Sequence, residues 1–288
     1  MNLRNAGANA WLTTITAFLV ASSISNSTPV HAEQRSAPPP ETIQIPVRPL
    51  PFDLQGLLRR PEGASRLPAV VLLPACSEYA SAKPLDEHWG ARISSWGYVT
   101  LTIDSFGPRG IKNCDRADNS DLAVDAYRAL NFLVQKRFID PKRAAVVGFA
   151  AGAWQAISAV ERGAIEQASG SKFRAAAAFY PRCRDFKGIM TVPTLILIGE
   201  RDDFAGVDAC RKMATGEDDI GISRQKGEGA PIRLITFPDA YHGFDLPDLR
   251  TAIWRRGHRL EFNEAAADQA SEALRQFLDL TFGATGTR

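Results

Sequence analysis

Three short stretches carry residue types and spacings that suit acyl-transfer chemistry. The first, Gly148-Phe149-Ala150-Ala151-Gly152, follows an apolar run and opens a helical pattern containing Trp154 and Ile157. This is the frame of a sharp strand-to-helix turn, where small residues flank a nucleophile and leave its side chain exposed. The second is Gly199-Glu200-Arg201-Asp202-Asp203-Phe204, and the third is Pro238-Asp239-Ala240-Tyr241-His242-Gly243-Phe244, each directly after an apolar run. Nucleophile position, acid and His in that order can form a hydrolytic triad, in which the acid orients an imidazole that takes the nucleophile's proton. Of the histidines, only His242 follows a late apolar run by a short loop, so it is the expected base; Asp202 and Asp203 compete for the acid. The nucleophile position holds Ala150. A methyl group can neither attack a carbonyl nor carry an acyl group.

The elements that must position these residues are legible in the same pattern. Apolar runs at 69–73, 99–103, 144–147, 175–179, 195–198 and 232–237 read as strands covered on both faces. Amphipathic segments lie between them. The clearest spans 121–136, with Leu122, Ala126, Ala129, Leu130, Leu133 and Val134 on one stripe and Asn119 or Ser120 as its cap, and a last one spans about 263–280. Strand, helix, strand repeated predicts one α/β domain with a mostly parallel sheet from about residue 53 to 288. Ligands of such sheets sit beyond the carboxyl ends of the strands, where all three stretches fall.

Length, charge and cysteines bound the rest. The 288 residues allow one large domain, and 34 basic against 32 acidic residues, without a basic run, argue against a nucleic-acid partner. Residues 1–32 read as a secretory signal peptide: Arg4 is the only Lys, Arg, Asp or Glu, an apolar stretch runs from Trp11 to Ala21, and Val30-His31-Ala32 suits a cleavage site. Thr13, Thr14 and Thr16 interrupt that stretch, which argues against a membrane anchor. A secreted or periplasmic chain is expected, with no membrane partner after cleavage. Residues 33–52 form a proline-rich extended segment, with Pro38, Pro39, Pro40, Pro46, Pro49 and Pro51. Cys76, Cys114, Cys183 and Cys210 all follow the cut, in a compartment where thiols tend to pair, and none has zinc-ligand spacing with His. No metal is expected. No cofactor is expected either: there is no Walker sequence, and 148–152 lacks the G-x-G-x-x-G spacing of a dinucleotide site.

Together these stretches resemble the dienelactone hydrolase family of α/β-hydrolases. The likeness runs from about Leu57 to Leu278 and also rests on Arg60-Pro61-Glu62-Gly63, on Trp96-Gly97-Tyr98-Val99 and on Asp104-Ser105-Phe106-Gly107-Pro108-Arg109-Gly110, the most specific piece. It implies the α/β-hydrolase fold, a mostly parallel eight-stranded sheet flanked by helices, and hydrolysis of small esters or lactones by a Ser or Cys nucleophile with a His-Asp pair. Carried over position by position, it places Ala150 at the nucleophile, Asp202 at the acid and His242 at the base, with the main-chain N–H groups of Cys76 and Ala151 as oxyanion donors. The chain departs from the family at Ala150 and in the loop Pro74-Ala75-Cys76-Ser77-Glu78, where such enzymes often have His-Gly.

Removing the nucleophile of a Ser-His-Asp enzyme lowers kcat by about 10⁶ and leaves about 10³ to 10⁴ over water. Hydrolysis is therefore expected to be impaired or absent. The alternatives are a non-catalytic binder of a small ester or lactone, or a hydrolase in which His242 activates water or Cys76. The implied sheet order favours Cys76–Cys114 and Cys183–Cys210 among the three pairings that four cysteines permit, and a paired Cys76 is no nucleophile. Arg109 is a candidate to hold a substrate carboxylate and Glu78 to line the pocket. Trp89, Trp96 and Trp154 are expected in the core, and His88 and His258 at the surface or in packing. Residues 216–229 read as a polar surface insertion. The oligomeric state is not set by the sequence.

Overall fold

The computed structural model describes residues 37–48, 51–62, 66–76, 81–111, 120–216 and 228–283. Eight strands form the main sheet: β1 (Glu41–Pro46), β2 (Asp53–Arg59), β3 (Leu67–Leu73), β4 (Val99–Asp104), β5 (Ile139–Phe149), β6 (Ala175–Phe179), β7 (Thr194–Gly199) and β8 (Ile232–Phe237). Their order is β1-β2-β4-β3-β5-β6-β7-β8. From β4 through β8 every pairing is parallel, whereas β1 with β2 and β2 with β4 are antiparallel. All six expected apolar runs are strands of this sheet. Every residue of β3, β6 and β7 is buried, which is why those strands read as continuous apolar runs without alternation. β1 lies within the proline-rich segment and takes an edge, the one place where a strand tolerates missing N–H groups.

Helices connect the strands. After β3 come α1 (Ala82–Leu85), a π-helical turn (Asp86–Gly90) and α2 (Ala91–Ser95); α3 (Ser120–Val134) precedes β5 and α4 (Ala151–Val160) follows it. Further on are α5 (Ala164–Ala168), α6 (Val207–Thr215) and α7 (Glu264–Phe282). α3 and α4 pack together against β3 and β5, while α7 packs on β6 and β7. In α3 the stripe residues Ala126, Ala129, Leu130 and Leu133 are fully buried. α7 is capped by Asn263, whose side chain accepts from the N–H of Ala266 at 3.0 Å. Among the described residues no helix is long and apolar enough to cross a membrane.

One buried ion pair ties the sheet to the π-helical turn. Arg59 on β2 donates to Asp86 Oδ2 through Nε at 2.9 Å and a terminal nitrogen at 2.7 Å, and to the Pro38 carbonyl at 2.7 Å. Thr102 on β4 donates to the other carboxylate oxygen at 3.3 Å. Burying these charges is tolerable only because each is hydrogen-bonded.

Sheet order reverses at β3, whose two neighbours β4 and β5 lie on opposite sides of it. That switch point opens a crevice at the carboxyl ends of β3 and β5. Ala75 and Cys76 leave β3 there, and Ala150 leaves β5.

Candidate active site

The turn between β5 and α4 has the backbone of a nucleophile elbow. Ala150 sits at φ 49°, ψ −108°, a region that a residue with a Cβ enters only under strain of roughly 1–3 kcal/mol. Its N–H donates to the Phe179 carbonyl at 3.1 Å, and its carbonyl accepts from Trp154 N at 3.1 Å. The flanking glycines follow from close approach: a Cβ on Gly148 would run into the Gly152 carbonyl, and one on Gly152 into the Leu73 carbonyl. Ala151 opens the ten-residue helix α4, so its N–H is among those that lack an intrahelical acceptor.

Asp202 and His242 meet across the ends of β7 and β8. His242 Nδ1 lies 2.9 Å from Asp202 Oδ2. A carboxylate only accepts, so Nδ1 carries the proton that points at it. Asp202 Oδ1 accepts from the Ala205 N–H at 2.8 Å, which fixes the carboxylate. Both residues are buried, at 2% and 6% exposure. Tyr180 and Phe204 also pack on the imidazole, with ring centroids at 4.5 and 4.8 Å. His242 Nε2 has no hydrogen-bond partner among the described residues.

Ala150, Ala151, His242, Ala75 and Cys76 line one cavity of about 380 Å³. Trp154, Tyr180, Phe204, Leu246 and Leu260 supply apolar surface, and Arg182, Arg255, Arg256 and Asp185 supply charge. Asp185 accepts from Trp154 Nε1 at 3.0 Å and lies 3.7 Å from Arg182. Arg255 has no ion-pair partner among the described residues.

A buried network lies next to the base. Asp245 accepts from the Tyr180 hydroxyl at 2.7 Å and from Trp89 Nε1 at 2.7 Å. Burial, then the Asp245 charge, push the Tyr180 hydroxyl well above its ordinary range, so it remains a donor. Tyr180 itself has φ 45°. Sequence reasoning missed Tyr180, Asp245, Phe204 and the three arginines. Tyr180 directly follows β6, so the strand-end rule was a usable signal for it; the arginines had none.

The structure places Ala150, Ala151, Cys76 and His242 around one cavity, with Asp202 behind His242 at Nδ1. Cys183 and Cys210 form a disulfide. Cys76 is disulfide-bonded, and its expected partner, Cys114, lies outside the described residues, as do Glu78 and most of the 216–229 insertion. The expectation for Arg109 is corrected: it grips Asp125 with both terminal nitrogens, at 2.6 and 3.0 Å, donates to the Ser105 carbonyl, and does not line the cavity. Its fork is already filled by a buried carboxylate. Trp154 is likewise corrected, from core to half-buried cavity wall. His258 is not isolated; its Nδ1 lies 3.2 Å from Asp203 Oδ1.

A mostly parallel sheet with an elbow after β5 and an Asp–His pair after β7 and β8 defines the α/β-hydrolase class. Within it, the chain belongs to the dienelactone hydrolase family, which it matches over residues 54–282. It is similar to lipase 1 of Moraxella sp. (strain TA144), 28% identical over 148 residues, a stretch that makes up 50% of this chain and 41% of that lipase. Matched against this relative, the chain therefore spans less than half of its length. Among solved structures, esterase 2 of Thermogutta terrifontis phosphoramylated by tabun superposes with a TM-score of 0.62 at 18% identity, covering 87% of this chain and 97% of the esterase. Its propionate-bound form gives 0.61 at 19% identity, with the same coverage. Dipeptidyl peptidase 4 of Porphyromonas gingivalis gives 0.63 at 16% identity, covering 86% of this chain and 36% of the peptidase.

Proposed function

We propose that the protein is an exported member of the family that binds small esters or lactones in this cavity and does not turn them over through an enzyme-bound acyl intermediate. One observation carries the reading: the elbow is folded, with Ala150 at φ 49°, and no hydroxyl or thiol stands at its apex. Cys76 does not substitute, because its sulfur is committed to a disulfide. The aromatic walls suit an acyl or ring substituent, and the orphan N–H groups at the start of α4 suit a carbonyl oxygen. Export rests on the signal-like residues 1–32 and agrees with the disulfides.

The test is hydrolysis of p-nitrophenyl butyrate by the purified protein, by Ala150→Ser and by Ala150→Ser with His242→Ala. Turnover should arise only in Ala150→Ser and vanish when His242 is also replaced. Turnover by the unmodified protein that depends on His242 would mean that water attacks directly, and the reading would fall.

A further inference from the structure

We infer that Asp245 is a positioning residue of this site: by accepting from the Tyr180 hydroxyl it locks the Tyr180 ring against the His242 imidazole and holds the imidazole in place in the cavity. The inference rests on the reading that His242 stands as a base at an elbow without a nucleophile, and it deepens that reading.

One hydrogen bond cannot fix an aromatic ring. Asp202 holds His242 at Nδ1, 2.9 Å from Oδ2, and the imidazole is free to pivot about that contact unless something bears on the ring. Tyr180 does so, with centroids 4.5 Å apart and the two planes at 58°. Phe204 also touches the imidazole, at 4.8 Å, but is only half-buried, whereas Tyr180 is 1% exposed. The contact restrains the base only if Tyr180 is itself immobile.

Two departures from ordinary packing supply that immobility. The first is the backbone of Tyr180, at φ 45°. A bulky residue enters this region under strain and stays there only where the surroundings over-determine it. Here the Tyr180 N–H donates to the Leu197 carbonyl at 2.7 Å and the hydroxyl donates to Asp245 at 2.7 Å.

The second is Asp245. It is fully buried, its other partner is the neutral Trp89 Nε1 at 2.7 Å, and it forms an ion pair with no described Lys or Arg. A buried carboxylate without a cation is costly, and an amide oxygen could accept both bonds without that cost. What the charge adds is strength, because a hydroxyl donating to a carboxylate is held about twice as firmly as one donating to a neutral oxygen. Burial and the Asp245 charge keep the hydroxyl protonated through the neutral range, so the donor persists. Departures of this kind collect at functional sites. Both of these serve one ring contact on the base.

Proton NMR of the 15N-histidine-labelled protein in water tests this without any turnover. The His242 Nδ1–H, bonded to a buried carboxylate, should give a signal downfield of the amides, assigned by its loss in His242→Ala. Tyr180→Phe keeps the ring and deletes the hydroxyl; it should speed exchange of that proton with water by about tenfold or more. Asp245→Asn keeps an acceptor and should fall between. Combining the two should change the rate by less than about twofold from Tyr180→Phe alone, as expected of residues that act through one bond. In the Ala150→Ser background, Tyr180→Phe should lower kcat for p-nitrophenyl butyrate about tenfold and leave KM within about twofold. Urea unfolding of each variant separates a displaced ring from a lost fold.

Absence of the downfield signal from the unmodified protein, unchanged exchange in Tyr180→Phe, or additive effects in the double variant would each overturn the inference. So would a loss of stability in Tyr180→Phe with kcat and the His242 signal unchanged, which would make the network structural only. Ester turnover by the unmodified protein, or none by Ala150→Ser, would instead overturn the underlying reading, and the NMR outcome still decides the positioning role.

Discussion

Asp202 Oδ2 lies 2.9 Å from His242 Nδ1, while the next residue, Asp203, turns its carboxylate to His258 instead, at 3.2 Å. The two acids differ in burial as well as direction: the Asp202 side chain is fully buried, and that of Asp203 is 62% exposed. A buried carboxylate can fix a tautomer and stabilise an imidazolium; an exposed pair in water does little of either. In an Ala150→Ser background, Asp202→Asn should lower kcat/KM for p-nitrophenyl butyrate by about 10⁴-fold, and Asp203→Asn should leave it within about twofold. Comparable losses in both would assign the acid wrongly.

The strain at Ala150 gives a second prediction. Replacing it with glycine relieves roughly 1–3 kcal/mol of backbone strain and adds unfolded-state freedom that costs roughly 0.5–1 kcal/mol. Relief wins, so Ala150→Gly should stabilise the fold by about 1 kcal/mol in urea unfolding. Ala153→Gly, inside α4, should destabilise by about 1 kcal/mol. A loss in both would mean that the elbow is relaxed.

How much of this was legible in sequence depends on whether a feature is local. The strands β3 to β8, the last helix from about residue 263 and the glycines of the elbow were readable because each depends on neighbours along the chain or on a backbone approach that only glycine permits. Asp202 and His242 were readable because chain order at strand ends is conserved by topology rather than by spacing. The Asp245 network was not: Trp89 and Asp245 are 156 residues apart and meet only in the folded core. Nor were Arg182, which follows β6, and the adjacent Arg255 and Arg256 of a short hairpin over 253–260, which reach the cavity from distant parts of the chain. Arg109 shows the limit most clearly, since a guanidinium that could grip a ligand carboxylate fits Asp125 equally well, and nothing local distinguishes the two.

Arg109 therefore has its own expected outcome. Asp125 is fully buried and shared by Arg109 and Arg128. Arg109→Ala leaves that carboxylate with one cation, which should cost about 1–3 kcal/mol in urea unfolding. In the Ala150→Ser background, KM for p-nitrophenyl butyrate should stay within about twofold, as expected for a brace outside the cavity. A selective rise in KM with unchanged stability would restore Arg109 to the binding site.

His88 sets a pH dependence of stability whose sign follows from its surroundings. Burial lowers its pKa from 6.5; Arg92 lowers it further, and Asp245 and Asp248 oppose the shift without reversing it. Its Nε2 is buried without a hydrogen-bond partner, and the ring lies edge-on to Trp89 at 5.5 Å. Between the folded pKa and 6.5 the unfolded chain binds the proton more readily than the folded one, so stability rises with pH through that window. The contribution is complete above the unfolded value and is lost as pH falls through and below it. Urea unfolding at pH 5.5 and 7.5 should show the unmodified protein weaker at the acid end, by more than His88→Phe is. Every other ionisable group is common to both proteins, so the double difference isolates His88. A pH effect of the same size in the variant would assign the acid sensitivity to another group.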